Sequence, residues 1–401
     1  MNTTTDDRTE PPMGIRATRL YDGEKLHEGW PLVVIRGDRI AAVDLTGARP
    51  SADLRVVDLG DVTMLPGLID VHTHLAWDPH RNPLEQMDAD DDATVLTRMG
   101  AHAQQALRAG ITTLRDLGDR RYLALTLRDM YNSGRELGPE VLAAGPPITP
   151  RRGHCWFLGG EADGTAGVAA AVAERIARGT DCVKVMVTGG VITPGWAPHE
   201  SQYSYHELRT IVDLAHEAGK PVAAHAHGAA GIGDAITAGV DTLEHGFFLA
   251  GGGRVDPDWR TIETLAARGV PVSTTTARLP EEGGLPDIHL RVRRNFARMH
   301  ALGVRLVCSS DAGVGSLKPH DCLPHGVIEF GELLGLPSAA ALASVTSVAA
   351  QACGVGHRKG RVATGFDADL LAVAGNPVDD LRSLLTVRAV YRAGRRVPVL
   401  P

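Results

Sequence analysis

Between residues 65 and 357, short apolar runs rich in β-branched residues alternate with longer Ala-, Leu- and Arg-rich stretches, and no other feature limits the fold as strongly. Eight runs read as strands: 65–75, 111–118, 140–148, 181–190, 221–228, 241–246, 270–277 and 304–313. Helical patterns such as AGVAAAVAERIARG and SYHELRTIVDLAHEAG follow most of them, several closing on glycine where a helix takes a left-handed C′ residue, and a double helix is expected over 323–353. Repeated β-α units imply a parallel sheet. Eight of them over 65–357 match the size of an α/β (β/α)8 TIM barrel. An open doubly wound sheet would carry a Gly-rich phosphate fingerprint after its first strand, and none follows 65–75.

The two ends differ from this middle. Residues 1–12 are polar and end in Pro11-Pro12, which reads as a disordered tail. Residues 13–64 and 358–401 both hold short β-like runs broken by Gly, Asp and Pro, and are expected to combine in one small β-sandwich domain beside a catalytic barrel over 65–357.

The 401 residues carry 41 basic and 48 acidic side chains, a net charge of −7, with no basic stripe. That balance argues against nucleic acid or a polybasic membrane contact and leaves a small-molecule substrate as the expected partner. No run approaches the length of a membrane span, and MNTTTDDRTEPP lacks the basic and apolar regions of a secretory leader, so a cytoplasmic protein with no membrane partner is expected. A homo-oligomer is compatible with this composition. The five cysteines are odd in number and never spaced as CxxC, so neither a disulfide framework nor a cysteine zinc ribbon is indicated.

In a barrel the chemistry sits at the carboxyl ends of the strands. Asp70, His72 and His74 are spaced by two in the first run, so their side chains share a face and the two imidazoles can converge. Lys184, one of only five lysines, stands in the fourth run among Val183, Val185, Met186 and Val187. Burial disfavours its ammonium form, so it either pairs, reaches solvent, or becomes a neutral amine able to take up carbon dioxide as a carbamate. The fifth run ends in His225-Ala226-His227, the sixth in Glu244-His245, and the eighth in Ser310-Asp311. Each alone is as well explained by a hydrogen-bonded core histidine or a helix-capping aspartate. Five strands each placing nitrogen or oxygen donors at one end point to a metal site. His102, His206, His216 and His300 fall within helical patterns and read as surface or packing residues.

The order HxH, strand-four Lys, His, His, Asp resembles the amidohydrolase superfamily, and LPGLIDVHTHL, TTLRDLG, VKVMVTGG, KPVAAHAHG, DTLEHG and SSDAG resemble its prolidase-like branch. That branch includes Xaa-Pro and Xaa-Arg dipeptidases, N-acyl-amino-acid hydrolases and ochratoxin-type amidases. The resemblance implies two divalent cations: His72, His74 and Asp311 on the more buried one, His225 and His245 on the more exposed one, and carboxylated Lys184 between them. It implies His225 rather than His227 as the fifth-strand ligand, with His227 facing the substrate carbonyl or leaving group. Zinc is the default for such donors, and manganese, cobalt or iron fit the same set.

With those ligands, a shared water of lowered pKa would attack the scissile carbonyl while Asp311 takes its proton and passes it to the departing nitrogen. Asp70 and Asp116 are candidates for orienting the histidines, and for Asp116 a strand-end hydrogen bond is an equally good reading. For the substrate, one of Arg151 and Arg152, with Arg152 the choice, is expected to meet a carboxylate, the other or both being solvated, and His154 to be the strongest contact beyond the ligands, with Tyr203 beside them. RRGHCWFLGG departs from the more Gly-rich stretch of that branch, while Trp156, Phe157 and Trp196 suit a large apolar group. A dipeptide or N-acyl amino acid leads this reading. An aryl carbamate or urea, a cyclic amide, a lactone or a phosphotriester stays open on the same centre. A non-catalytic scaffold would be expected to lose ligands, and all six positions are filled.

Overall fold

A computed structural model describes residues 11–281 and 283–398; residues 1–10 of the tail expected over 1–12 lie outside the described residues. The eight expected runs each form a strand, in order: β1 (Leu68–Thr73), β2 (Ile111–Asp116), β3 (Glu140–Ala143), β4 (Val183–Met186), β5 (Val222–Ala226), β6 (Thr242–His245), β7 (Val272–Ser273) and β8 (Leu306–Val307). They pair in parallel as β3-β2-β1 and β4-β5-β6-β7-β8. Single parallel bridges, Ile148 to Val185 and Thr73 to Ala312, link the two sheets at both junctions. Every residue of β1, β2 and β5 is buried, as expected of parallel strands covered on both faces.

Two expectations change in detail. The runs over 270–277 and 304–313 keep only two ladder residues each, and left-handed backbone follows them at Thr275 and Asp311 (φ 51° and 57°). The double helix expected over 323–353 is three helices, Leu323–Leu334, Ser338–Ala343 and Ser347–Ala352. Elsewhere local chemistry sets the helices as read. Ser204 and Glu207 form a reciprocal capping box at the start of Tyr205–Glu217, and Gly179 closes Gly164–Arg178 at φ 78°.

The terminal segments form two further sheets. Met13–Arg16, Leu32–Arg36, Arg39–Asp44 and Arg55–Asp58 make one. In the other, Val62–Pro66 pairs antiparallel with Leu370–Ala374, bringing the two chain ends together. Ile15, Leu20, Val33, Ile40, Met64, Leu370 and Tyr391 pack in one apolar cluster drawn from both sheets. A buried charge network then ties the C-terminal segment to the start of β3: Lys359 Nζ lies 3.1 Å from Glu140 and 2.9 Å from Asp367 and also pairs with Asp369, and Arg358 and Arg392 bind the same acids. Among the described residues no helix is long and apolar enough to cross a membrane.

Candidate active site

The pleat of β1 carries Asp70 and His72 inward, and His74 follows just past the strand end. The chain returns to them after β8: the Asp311 N–H donates to the His72 carbonyl at 2.8 Å and the His74 N–H to the Ala312 carbonyl at 3.0 Å. This backbone stitching sets Asp311 Oδ1 at 3.4 Å from His72 Nε2 and 3.3 Å from His74 Nε2. His225, His227 and His245, from β5 and β6, form a second group. Within each trio one ligand atom per residue lies within 4.8 Å of the others, a spacing that could hold a metal ion. The groups adjoin, with the His72 and His245 ring centroids 5.1 Å apart.

Hydrogen bonds assign the ring nitrogens. His72 Nδ1 lies 2.8 Å from Glu244 Oε2, and an ionised carboxylate only accepts, so Nδ1 carries the proton and the Nε2 lone pair faces Asp311. His74 donates Nδ1–H to the Gly118 carbonyl at 3.2 Å, again freeing Nε2. His225 donates Nε2–H to the Gly189 carbonyl at 3.0 Å, which frees Nδ1, and His245 Nδ1 pairs with Thr275 Oγ1 at 2.9 Å.

Burial, reinforced by the neighbouring Lys184 ammonium, pulls His72 down to about 4; burial also pulls His227 to about 4 and His225 and His245 well below the usual imidazole value. These rings are therefore neutral near pH 7, the state a ligand needs. Burial opposes the ionisation of Asp311, but His72, His74 and Lys318 outweigh it and hold the carboxyl well below the usual range. Lys184 is buried on β4, its Nζ has no hydrogen-bond partner, and burial lowers its pKa to about 8. An orphaned amine of that pKa beside four neutral imidazoles and one carboxylate is a donor set that fits two divalent cations.

Glu244 is the functional residue that sequence reasoning left without a role. Adjacent residues of a strand point to opposite faces, but His245 is left-handed (φ 70°), so Glu244 and His245 both approach His72. Arg115 binds the second Glu244 oxygen at 2.8 Å, Thr242 Oγ1 donates to it at 2.6 Å, and Arg115 also donates Nε–H to the Val71 carbonyl. Burial opposes this charge, yet Arg115 and His72 keep the Glu244 carboxyl below its usual range. Lys318 was likewise overlooked. Its Nζ donates to the carbonyls of Thr275 (2.7 Å) and Ser310 (2.9 Å), securing the two left-handed bends that lie beyond β7 and β8.

Asp70, Arg152 and Tyr203 meet a different placement from the one expected, and Asp116 takes the strand-end hydrogen bonds of its alternative reading. Asp70 holds Ser310 through its N–H at 3.1 Å and through its hydroxyl, and Asp116 accepts from the N–H groups of Leu75 (2.8 Å) and Gly118 (3.1 Å). Both carboxylates fasten backbone; Glu244 and Gly118 orient the rings. Arg152 is exposed and stands outside the cavity wall, its N–H donating to Glu161, because the turn after Thr149 is left-handed there (φ 54°). Tyr203 is buried and donates its hydroxyl to the Ala162 carbonyl at 2.7 Å, also away from that wall. His154 does line the cavity. Its ring lies 4.6 Å from that of His225, and burial first, then His227 and Lys184, pull it down to about 3.

Both trios and Lys184 open into a cavity of about 350 Å³. Its walls are largely apolar, with Trp77, Met186, Phe247 and Leu249 among them, and Arg278 and Arg293 also line it.

Parallel strands thus carry two adjoining donor groups of a candidate metal centre at their carboxyl ends. A sequence model of the amidohydrolase family matches residues 63–397. The chain belongs to the amidohydrolase family, in its prolidase-like branch, and is a hydrolytic enzyme acting on carbon–nitrogen bonds. The ochratoxinase of Aspergillus niger is 27% identical over 371 residues, covering 82% of this chain and 73% of that protein. A crystal structure of a Xaa-Pro dipeptidase with bound methionine in its active site superposes with a TM-score of 0.84 at 28% identity, covering 96% of this chain and all of that one. Phenylurea hydrolase B shares the fold, with a TM-score of 0.82 at 22% identity over 97% of each chain.

Proposed function

We propose that the protein hydrolyses an amide or peptide bond of a small substrate, such as a dipeptide or N-acyl amino acid, at a centre for two divalent cations. The observation that carries this reading is the orphaned, buried amine of Lys184 standing with two donor trios on one cavity. His72, His74 and Asp311 would hold one cation, His225 and His245 the other, and carboxylated Lys184 both, with zinc as the default and manganese, cobalt or iron as substitutes. The Gly189 carbonyl, which fixes the His225 tautomer, supports His225 as ligand and leaves His227 to the substrate carbonyl. When bound, such cations supply a Lewis acid and a water of lowered pKa. Asp311 accepts the proton of the attacking water and delivers it to the leaving nitrogen. His154 contacts the substrate from above His225, and the apolar walls exclude bulk water.

The bridges Ile148–Val185 and Thr73–Ala312 support reading β1–β8 as one closed (β/α)8 barrel over 65–357. The apolar cluster shared by the terminal sheets supports a composite β-sandwich from 13–64 and 358–401. A panel of dipeptides, N-acyl amino acids, lactones and an aryl phosphotriester tests the function. Amide turnover lost on chelation and restored by zinc or manganese is expected, and turnover of the lactones and phosphotriester alone would overturn it.

A further inference from the structure

The charge lining the cavity is lopsided. Among the described residues on its wall, Asp311 is the only carboxylate, and it faces His72 and His74. Four cationic side chains share that wall. Lys184 belongs to the metal centre and Lys318 is committed to two carbonyls. Arg278 and Arg293 remain. Arg278 follows the end of β7, and Arg293 sits on the helix Asp287–Ala301, one turn from His289 and beside Val292. Both are largely withdrawn from solvent, with side-chain exposures of 12% and 7%. Among the described residues each guanidinium makes one side-chain hydrogen bond, Arg278 to Glu281 and Arg293 to Glu329, and both acceptors lie toward solvent, at 41% and 35% exposure. A guanidinium carries five N–H donors. Among the described residues most donors of this pair therefore have no side-chain partner, on a wall whose one described carboxylate is Asp311.

We propose that Arg278 and Arg293 form the subsite for the free carboxylate of the substrate, making them the determinants that select an amide bearing an anionic end. Two arginine forks match a carboxylate bidentately, which a lysine cannot do. Ile288 and Val292, one turn apart on the same helix and on the same wall, give the adjoining side chain of the amino-acid half an aliphatic surface. Phe247 joins this surface to the donor groups, with its ring 5.1 Å from His227 and 5.9 Å from Phe296 of the helix. The amino-acid half thus lies along Asp287–Ala301, and its amide carbon faces His227 and Asp311. This assignment rests on the amide-hydrolase reading above.

The test uses the metal-loaded protein and two compounds, an N-acyl-L-leucine and its C-terminal carboxamide. The wild type is expected to prefer the acid. Arg293→Met and, separately, Arg278→Met are expected to lower the acid-to-carboxamide ratio of kcat/KM by about 10- to 100-fold, through KM. Two variants are used because Arg293 is buried and its loss could unfold the chain where that of Arg278 would not. An unchanged ratio, or a loss equal for both compounds, overturns the subsite. If neither compound is turned over, calorimetric binding of the same pair separates the two claims. Carboxylate-dependent binding abolished in the variants supports the subsite while the hydrolytic reading fails, and binding indifferent to the carboxylate overturns the subsite itself.

Discussion

Glu244 accepts the Nδ1–H of His72 at 2.8 Å while Arg115 grips its other oxygen at the same distance, so a buried carboxylate on β6 decides which nitrogen a histidine on β1 turns toward Asp311. The bond spans 172 residues of sequence and joins the two parallel sheets through their interior.

Replacing Glu244 by Gln should therefore lower cation affinity by about 10- to 100-fold, the usual cost of removing a group that orients a ligand. It should also destabilise the chain, because Arg115 is left as a buried cation without its counter-charge. Metal titration followed by elemental analysis checks the first effect and thermal melting the second. Wild-type cation affinity in a folded Glu244→Gln protein would remove Glu244 from the site.

Lys184→Ala and Asp311→Asn should fail differently. Loss of Lys184 should remove most bound metal together with activity. Asp311→Asn keeps an oxygen donor and should retain much of the metal while turnover drops by about 100- to 10,000-fold, the contribution typical of a proton-transferring group. Near-normal turnover in Asp311→Asn would place the proton shuttle elsewhere, and unchanged metal in Lys184→Ala would argue against a carbamate bridge.

Glycine at 190 leaves room for His154. A Cβ built there would meet the His154 ring at 2.3 Å, so Gly190→Ala must move that ring. KM for an amide substrate should rise about tenfold while bound metal is unchanged, on the scale of one lost polar contact. Equal KM values in both proteins would mean that His154 does not touch substrate.

The charge network at the start of β3 sets an acid limit. Burial opposes the Glu140 charge, but Arg358, Lys359 and Arg392 hold its pKa down to about 2, against an ordinary 4.5, and Asp369 is likewise held down to about 2. A carboxyl depressed in the folded state contributes stability that is complete above its unfolded pKa and is lost as pH falls through the folded one. For Glu140 that window runs from about pH 4.5 down to about 2 and is worth about 3 kcal/mol. Buried histidines add an earlier loss: His72, held at about 4 against 6.5, is destabilising from about pH 6.5 downward because the unfolded chain takes up the proton first. Melting wild type and Glu140→Gln across pH 7 to 2 should show a gap that is constant above about 5 and shrinks below 4.5. A gap that widens on acidification would contradict this assignment.

What the sequence made legible followed from strand periodicity. His72 and His74, Lys184, and His225 with His227 sit at strand ends where two-residue alternation holds, and the structure groups all five on one cavity. Glu244 escaped because the left-handed backbone of His245 overrides that alternation, and Thr275 and Asp311 are left-handed in the same way beyond the ends of β7 and β8. Asp70 and Asp116 have the residue type of ring-orienting acids, yet nearby N–H groups claimed them first. Arg152 stood in a loop that looked aimed at substrate, whereas Arg293 was one arginine among several in HLRVRRNFARMH, where only tertiary packing distinguishes a buried fork from a solvated one.

The most direct measurement is the metal content of purified protein set against its amidase activity, with carbon dioxide supplied during reconstitution. Two divalent cations per chain, lost together with activity on chelation and reduced in Lys184→Ala, are predicted. Full amide turnover by protein holding no stoichiometric metal would contradict the account.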